Sequence, residues 1–362
     1  MKLDTSIPCA RLRPRPFAEP KPGGALHQGI ETMGKTIAVL GAGNAGTTFA
    51  LLAAHDDNAV RLWTIEQDVA EMMREGRENR KYLPGVMLPA AIAIEVDLEK
   101  AIAGADIVML TVPSHVVRRM AQAIAPLVTS EQIIVDVAKG LEEKTFYLMS
   151  EVIHSELPIA VRKNIVALSG PSIAREMSRG VPTAVAVAGF VPSHAEAVRQ
   201  TLQTPAFQVI VVDDIVGIQL GGSLKNIYAL AAGMCDGLEY GVNTKAAFIP
   251  HALAEMVQFG VVLGARPETF YGLAGLGDLV VTCLGPQSRN RTLGEKLARG
   301  QQLAQILRES VEVSEGVQTT KVAHALGRKL RLRLPLLDAI YRILFEGRSP
   351  REALPVFLTG AG

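Results

Sequence analysis

Three features of this sequence have residue types suited to chemistry: a lysine among apolar residues, a carboxylate among glycines, and a run of polar donors. Between Ile215 and Cys235 the only charge is Lys225, in the stretch GGSLKN. Its helical neighbours at three and four residues are Gly221, Gly222, Tyr228 and Ala229, so a lysine held there is desolvated. Desolvation lowers its pKa and makes the neutral amine a proton acceptor. The competing reading is a lysine that snorkels along its own stem to water. Downstream, GLAGLGDLVVTC (272–283) surrounds one carboxylate, Asp278, which either orients the lysine or a substrate hydroxyl, or caps a helix. GPQSRNR then offers Ser288, Arg289 and Asn290 in succession, a grip for a phosphate unless the run is a solvated basic turn. Cys283 sits in an apolar run with no evident His partner, and reads as a core cysteine rather than a nucleophile.

A proton acceptor needs a reaction. Gly41-x-Gly43-x-x-Gly46 follows an apolar run rich in β-branched residues (Thr36–Leu40) and opens a helical pattern. In that setting Gly41 makes the tight turn, Gly43 lets the backbone approach a pyrophosphate, and Gly46 lets the helix pack on the strand. Glu66 lies twenty residues after Gly46, where an acid accepts bonds from the ribose hydroxyls of NAD and repels a 2′-phosphate; otherwise it caps the following helix. Arg61 and Arg74 are close enough in sequence to serve a 2′-phosphate, so NAD is favoured over NADP without NADP being excluded. Hydride transfer from an alcohol to such a cofactor needs a base on the hydroxyl, and the reverse needs an acid on the carbonyl.

The elements that must position these groups come in two kinds. Apolar runs VRLW, DIVMLTVP, QIIVDVAKG, NIVALSGP, TAVAVAG and FQVIVVDD alternate with helical segments such as QDVAEMMREG, HVVRRMAQAIAPL and SHAEAVRQTLQ. That alternation predicts a mainly parallel sheet covered on both faces. Two of the runs place Lys139 (VAKG) and Gly170, Ser172 and Ala174 (SGPSIAREM) at strand ends, the edge where open α/β sheets bind ligands. From about Asp214 the pattern is helical, and one late helix is expected to open at SPRE with Ser349 as cap and Glu352 completing a capping box. The expected organisation is therefore a tail or mis-assigned start over 1–33, a dinucleotide-binding α/β domain over 34–213, and an all-α substrate domain over 214–362.

Composition restricts the alternatives. A net charge of +1 in 362 residues speaks against a dedicated nucleic-acid binder. Cys9, Cys235 and Cys283 are odd in number and have no metal-ligand spacing, which favours a reducing, cytoplasmic setting and no metal site. Ile215–Cys235 is long enough to cross a bilayer, but Gln219, Lys225 and Asn226 would need partners there, so a buried helix is expected instead of a transmembrane segment. The proline-rich tail has no apolar core of a secretory signal.

GAGNAGTTFA, VAKGLE, SGPSIAREMSRGVPTAV, GGSLKNIYALAAGMCDGL, GLAGLGDLVVTC, SRNRTLGEKLARG and SEGVQTT occur in this order over roughly residues 34–357. Together they resemble the soluble NAD(P)-dependent glycerol-3-phosphate dehydrogenases, and the SLKN motif and the GLAGLGDL…SRN pair are specific to that family. The resemblance implies a Rossmann domain followed by a helical domain, commonly a homodimer, reversibly reducing dihydroxyacetone phosphate to sn-glycerol 3-phosphate for phospholipid synthesis. It implies Lys225 as proton acceptor and donor, with Lys139, Asp278, Asn226 and Thr282 around the reacting centre. Gly170 and Ser172 would contact substrate, while Ser288, Arg289 and Asn290 would hold its phosphate. Arg289, Lys139, Ala174, Val313 and Glu315 would face the cofactor. Asn44 and Ala45 stand where the family usually carries a Ser and a bulky aromatic residue, and Pro250, His251 and Ala252 where it usually reads Thr-Arg-Gly. Two other readings are a related β-hydroxyacid or ketopantoate-type reductase and a cofactor-binding regulatory protein without turnover.

Overall fold

The strands described are short and, in the middle of the sheet, mostly buried: Thr36–Leu40 (β1), Ala59–Trp63 (β2), Ile92–Glu95 (β3), Ile107–Leu110 (β4), Ile133–Asp136 (β5), Ile165–Ser169 (β6), Thr183–Gly189 (β7) and Phe207–Val211 (β8). The computed structural model describes residues 34–309 and 315–360, so the tail 1–33 and Val313 lie outside the described residues. The strands form one sheet in the order β3-β2-β1-β4-β5-β6-β7-β8. Every pairing is parallel except β6 with β7, where Val166 faces Gly189 and Ser169 faces Ala186 in antiparallel register. Apolar side chains cover both faces, as a parallel sheet between helical layers requires: Ile37, Val39 and Leu62 pack into one cluster, and Ala38, Leu40 and Leu110 into another. The order reverses between β1 and β4, which opens a crevice at the carboxyl ends of those strands. β3, with the sequence IAIE, was not expected from the sequence, because four residues carry too little alternation to stand out.

After Val211 the described residues form helices and turns only. Asp214 caps the helix Ile215–Gly237, its carboxylate accepting the Gly217 N–H at 2.8 Å. All residues from Gly217 to Cys235 are buried. A helix apolar on every side is a core element, and this one is wrapped by Val242–Val262, Asp278–Leu284, Arg289–Ala298 and Glu315–Lys329. Among the described residues no helix meets the length and apolarity needed to cross a membrane. At SPRE the chain makes a single 3₁₀ turn, Pro350–Ala353, before the helix Leu354–Thr359. Ser349 does cap that turn, accepting the Arg351 N–H at 3.3 Å. Glu352 pairs with Arg348 at 3.5 Å instead of completing a capping box.

Candidate active site

β1 delivers the chain to Gly41, whose φ of +116° lies in the region that favours glycine. The helix Asn44–Ala53 starts at once, with Gly43, which has no side chain to cap it, at the N-cap. A methyl on Gly46 would lie 1.8 Å from the Gly41 carbonyl oxygen, so only glycine lets helix and turn meet. A methyl on Gly43 would meet nothing within 4 Å, since that face of the loop is open. An open backbone face at an uncapped helix N-terminus fits a pyrophosphate. Asn44 folds back so that its Oδ1 accepts the Ala45 N–H at 2.6 Å. Thr48 of the same helix donates to the Ala174 carbonyl at 3.3 Å, which sets Ala174 against the cofactor loop. Glu66 stands at the start of the next helix, Gln67–Gly76, without capping it. Its carboxylate accepts the Tyr82 hydroxyl at 2.7 Å and pairs with Lys81. Arg61 and Arg74 are occupied elsewhere: the first donates to the carbonyls of Lys100 and Ala103, the second to that of Ile94.

The second group of residues gathers around Asp278, which is 0% exposed and opens the helix Asp278–Leu284. Its Oδ1 accepts Lys225 Nζ and its Oδ2 accepts Lys139 Nζ, both at 2.6 Å. The carboxylate thus orients two lysines and caps no helix. Lys139 reaches it from the end of β5 and also donates to the Gly170 carbonyl at 3.1 Å and the Ser172 hydroxyl at 3.4 Å. Gly170 follows β6 with φ +140°. Lys225 does not snorkel; the whole residue is 8% exposed. Thr282 accepts its second hydrogen bond at 2.7 Å while donating to the Asp278 carbonyl at 2.6 Å. Burial brings the Lys225 pKa down to about 8; Lys139 adds to the fall, and Asp278 opposes it. An ammonium has three protons, and two are spent on Asp278 and Thr282, which leaves one position on Nζ for a substrate oxygen.

Beside this centre, Asn226 Oδ1 accepts Asn290 Nδ2 at 2.9 Å, and Asn290 Oδ1 accepts the Gly316 N–H at 3.0 Å. Ser288 caps the helix Arg289–Ala298 by accepting the Arg291 N–H at 3.3 Å, so Ser288, Arg289 and Asn290 all lie in its first turn. Arg289 is exposed. The Glu315 carboxylate accepts the Ser114 N–H, and burial raises its pKa against the pull of Arg289, Lys139 and Lys225. Burial likewise pushes the Cys283 thiol up to about 12, as befits a core cysteine.

Four residues of this arrangement are not apparent from sequence spacing. Ser114 acts through its backbone, which sequence does not distinguish. Lys81 and Tyr82 meet Glu66 from fifteen and sixteen residues away. Gly222 faces Ser169 and the Lys139 stem, and a methyl there would lie 2.3 Å from Ser169 Oγ. The doubled glycine in GGSLKN was the available signal: it brings the lysine-bearing helix against the strand ends.

Comparison with known proteins decides the family. Residues 36–198 match the family model for the N-terminus of NAD-dependent glycerol-3-phosphate dehydrogenase, and residues 214–355 match the model for its C-terminus. The chain belongs to this family. The glycerol-3-phosphate dehydrogenase [NAD(P)+] of Geobacter sp. (strain M21) is 43% identical over 327 residues, covering 90% of this chain and 98% of that protein. The crystal structure of glycerol-3-phosphate dehydrogenase from Coxiella burnetii is 35% identical, with a TM-score of 0.85 over 90% of this chain and 99% of that one. A ketopantoate reductase from Ralstonia eutropha shares the fold at 13% identity and a TM-score of 0.57, covering 88% of this chain and 99% of that one. The glycerol-3-phosphate dehydrogenase family members are oxidoreductases using NAD or NADP, and the chain is an enzyme of that kind.

Proposed function

We propose that this glycerol-3-phosphate dehydrogenase family member reversibly reduces dihydroxyacetone phosphate to sn-glycerol 3-phosphate, with Lys225 as the proton donor and acceptor. The observation that carries this reading is the shared carboxylate: Asp278 is buried and fixes both Lys225 and Lys139 at 2.6 Å. With both lysines protonated the trio has a net charge of +1, suited to a substrate that carries a phosphate and passes through an alkoxide-like state. In reduction, the third proton of Lys225 goes to the substrate carbonyl oxygen; in oxidation, the neutral amine takes the hydroxyl proton. The bound nicotinamide supplies or accepts the hydride. Lys139 holds positive charge beside the same oxygen, and Gly170 and Ser172 fix Lys139 in turn. Asn226 and Asn290 pin the helix Arg289–Ala298 to the lysine-bearing helix, so that Ser288, Arg289 and Asn290 present donors and a helix N-terminus to the substrate phosphate. Glu315 and Arg289 form the edge towards the cofactor, with Gly41, Gly43 and Gly46 on the pyrophosphate, Asn44, Ala45 and Ala174 beside it, and Glu66 on the ribose.

NADH is the better cofactor on this reading, because Glu66 carries a carboxylate where a 2′-phosphate would come. A cytoplasmic homodimer feeding phospholipid synthesis is the setting that the family resemblance supports. The test is steady-state oxidation of NADH and NADPH by the purified chain, with dihydroxyacetone phosphate or ketopantoate as acceptor. Turnover with dihydroxyacetone phosphate is expected. Turnover with ketopantoate alone would replace the substrate assignment.

A further inference from the structure

The environment of Glu66 differs from that of a bare ribose-binding carboxylate. Lys81 donates to its Oε2 and Tyr82 to its Oε1, the latter at 2.7 Å. Both donors come from the turn 79–83, and that turn is fixed to the cofactor loop. Asn79 is 0% exposed; its Nδ2 donates to the Ala42 carbonyl and to Thr47 Oγ1, both at 2.8 Å, while its Oδ1 accepts the Tyr82 N–H at 3.2 Å. Lys81 is therefore held in register with the glycine loop and with the carboxylate at the end of β2. Its side chain remains 36% exposed and that of Glu66 33%, so both are open to solvent and to a bound ligand. Arg61 and Arg74, the other cations expected near a 2′-phosphate, are turned onto backbone carbonyls.

Charge then decides what the pocket accepts. A lone carboxylate at the ribose repels a 2′-phosphate. A carboxylate already paired with an ammonium leaves the pocket electrically neutral. An ammonium on a flexible stem can also exchange one anionic partner for another within the same hydrogen-bond radius. Tyr82 keeps Glu66 in place when Lys81 leaves it.

We propose that Lys81 is the residue that admits NADP(H) to this site: it pairs with Glu66 when NAD(H) is bound and moves its hydrogen bond to the 2′-phosphate when NADP(H) is bound. The inference rests on the cofactor site described under the proposed function and assigns its adenosine-ribose selectivity.

The test combines binding with kinetics. Calorimetry would compare adenosine 2′,5′-bisphosphate with AMP on the wild-type chain, Lys81→Ala and Lys81→Arg, and kcat/KM would be measured with NADPH and NADH. Loss of one charge-assisted contact predicts that Lys81→Ala weakens the bisphosphate and lowers kcat/KM for NADPH by about 10- to 100-fold. AMP binding and NADH use should fall by a clearly smaller factor than bisphosphate binding and NADPH use, and Lys81→Arg should restore the bisphosphate. Equal losses for both nucleotides, or none for either, would overturn the role of Lys81 and leave the cofactor site standing. Failure of the wild-type chain to bind either nucleotide would overturn the cofactor site and this proposal together.

Discussion

The lowered pKa of Lys225 comes first from the burial of its side chain, and the proposed proton transfer depends on it. With its pKa near 8, alcohol oxidation should rise with pH and level off above about 8, as the neutral amine accumulates. Carbonyl reduction should fall over the same interval, because it consumes the protonated form. A pH profile of kcat/KM in each direction checks both limbs. Lys225→Ala should lower kcat by roughly 10²- to 10⁴-fold and abolish the inflection near pH 8. Arg289→Ala should mainly raise KM for the phosphorylated substrate, by about 10- to 100-fold for one charge-assisted grip, measured against free phosphate as a competitor. At this scale the sequence was most informative where one residue broke its surroundings. One charge between Ile215 and Cys235, and one acid among the glycines of 272–283, drew attention to Lys225 and Asp278. What spacing could not show is that Asp278 serves two lysines, because Lys139 lies 139 residues away and meets it only through the fold. The Lys81–Glu66 pair was hidden for the same reason.

The helix Ile215–Gly237 connects Lys225 to the turn proposed to hold the substrate phosphate by lying unusually close to Arg289–Ala298. A methyl on Gly294 would sit 1.9 Å from the Leu230 carbonyl oxygen, and one on Gly233 would sit 1.8 Å from that of Arg291. Both atoms are backbone, so neither can swing aside. Gly294→Ala should therefore cost more than the 1–3 kcal/mol typical of overpacking, or else shift Arg289 and Asn290 away from Asn226. Thermal unfolding together with the KM for dihydroxyacetone phosphate would show which: a lower Tm with unchanged KM means lost packing, and a raised KM means a displaced turn. Helix and strand positions were largely legible, since period and punctuation mark them locally. The antiparallel step from β6 to β7 was not, because a buried strand reads the same in either direction. Pro250 lies inside Val242–Val262, where it removes one helical amide donor, and nothing in its surroundings explains the choice of residue.

Over the whole molecule, two buried acids set a pH dependence for stability. Burial raises Asp136 to about 7, with one oxygen left without a hydrogen-bond partner, and raises Glu255 to about 7 despite bonds from Leu336, Leu337 and Tyr228. Each folded-state pKa lies above the unfolded value. The folded chain therefore holds protons that the unfolded chain gives up, and this stabilisation is full below about pH 4 and lost as pH rises through about 7. Tm should accordingly fall between pH 5 and pH 8, and Asp136→Asn should flatten that fall; an unchanged slope in the variant would exclude Asp136 as its source. Asp278 adds a mechanical consequence. One of its oxygens holds the strand-end lysine and the other holds the helix lysine, so it rivets the sheet to the helices at the proposed reaction centre. Swinging the two layers apart would separate this carboxylate from one of its cations and let water reach both, so any opening of the cleft changes the charge environment of the two lysines together.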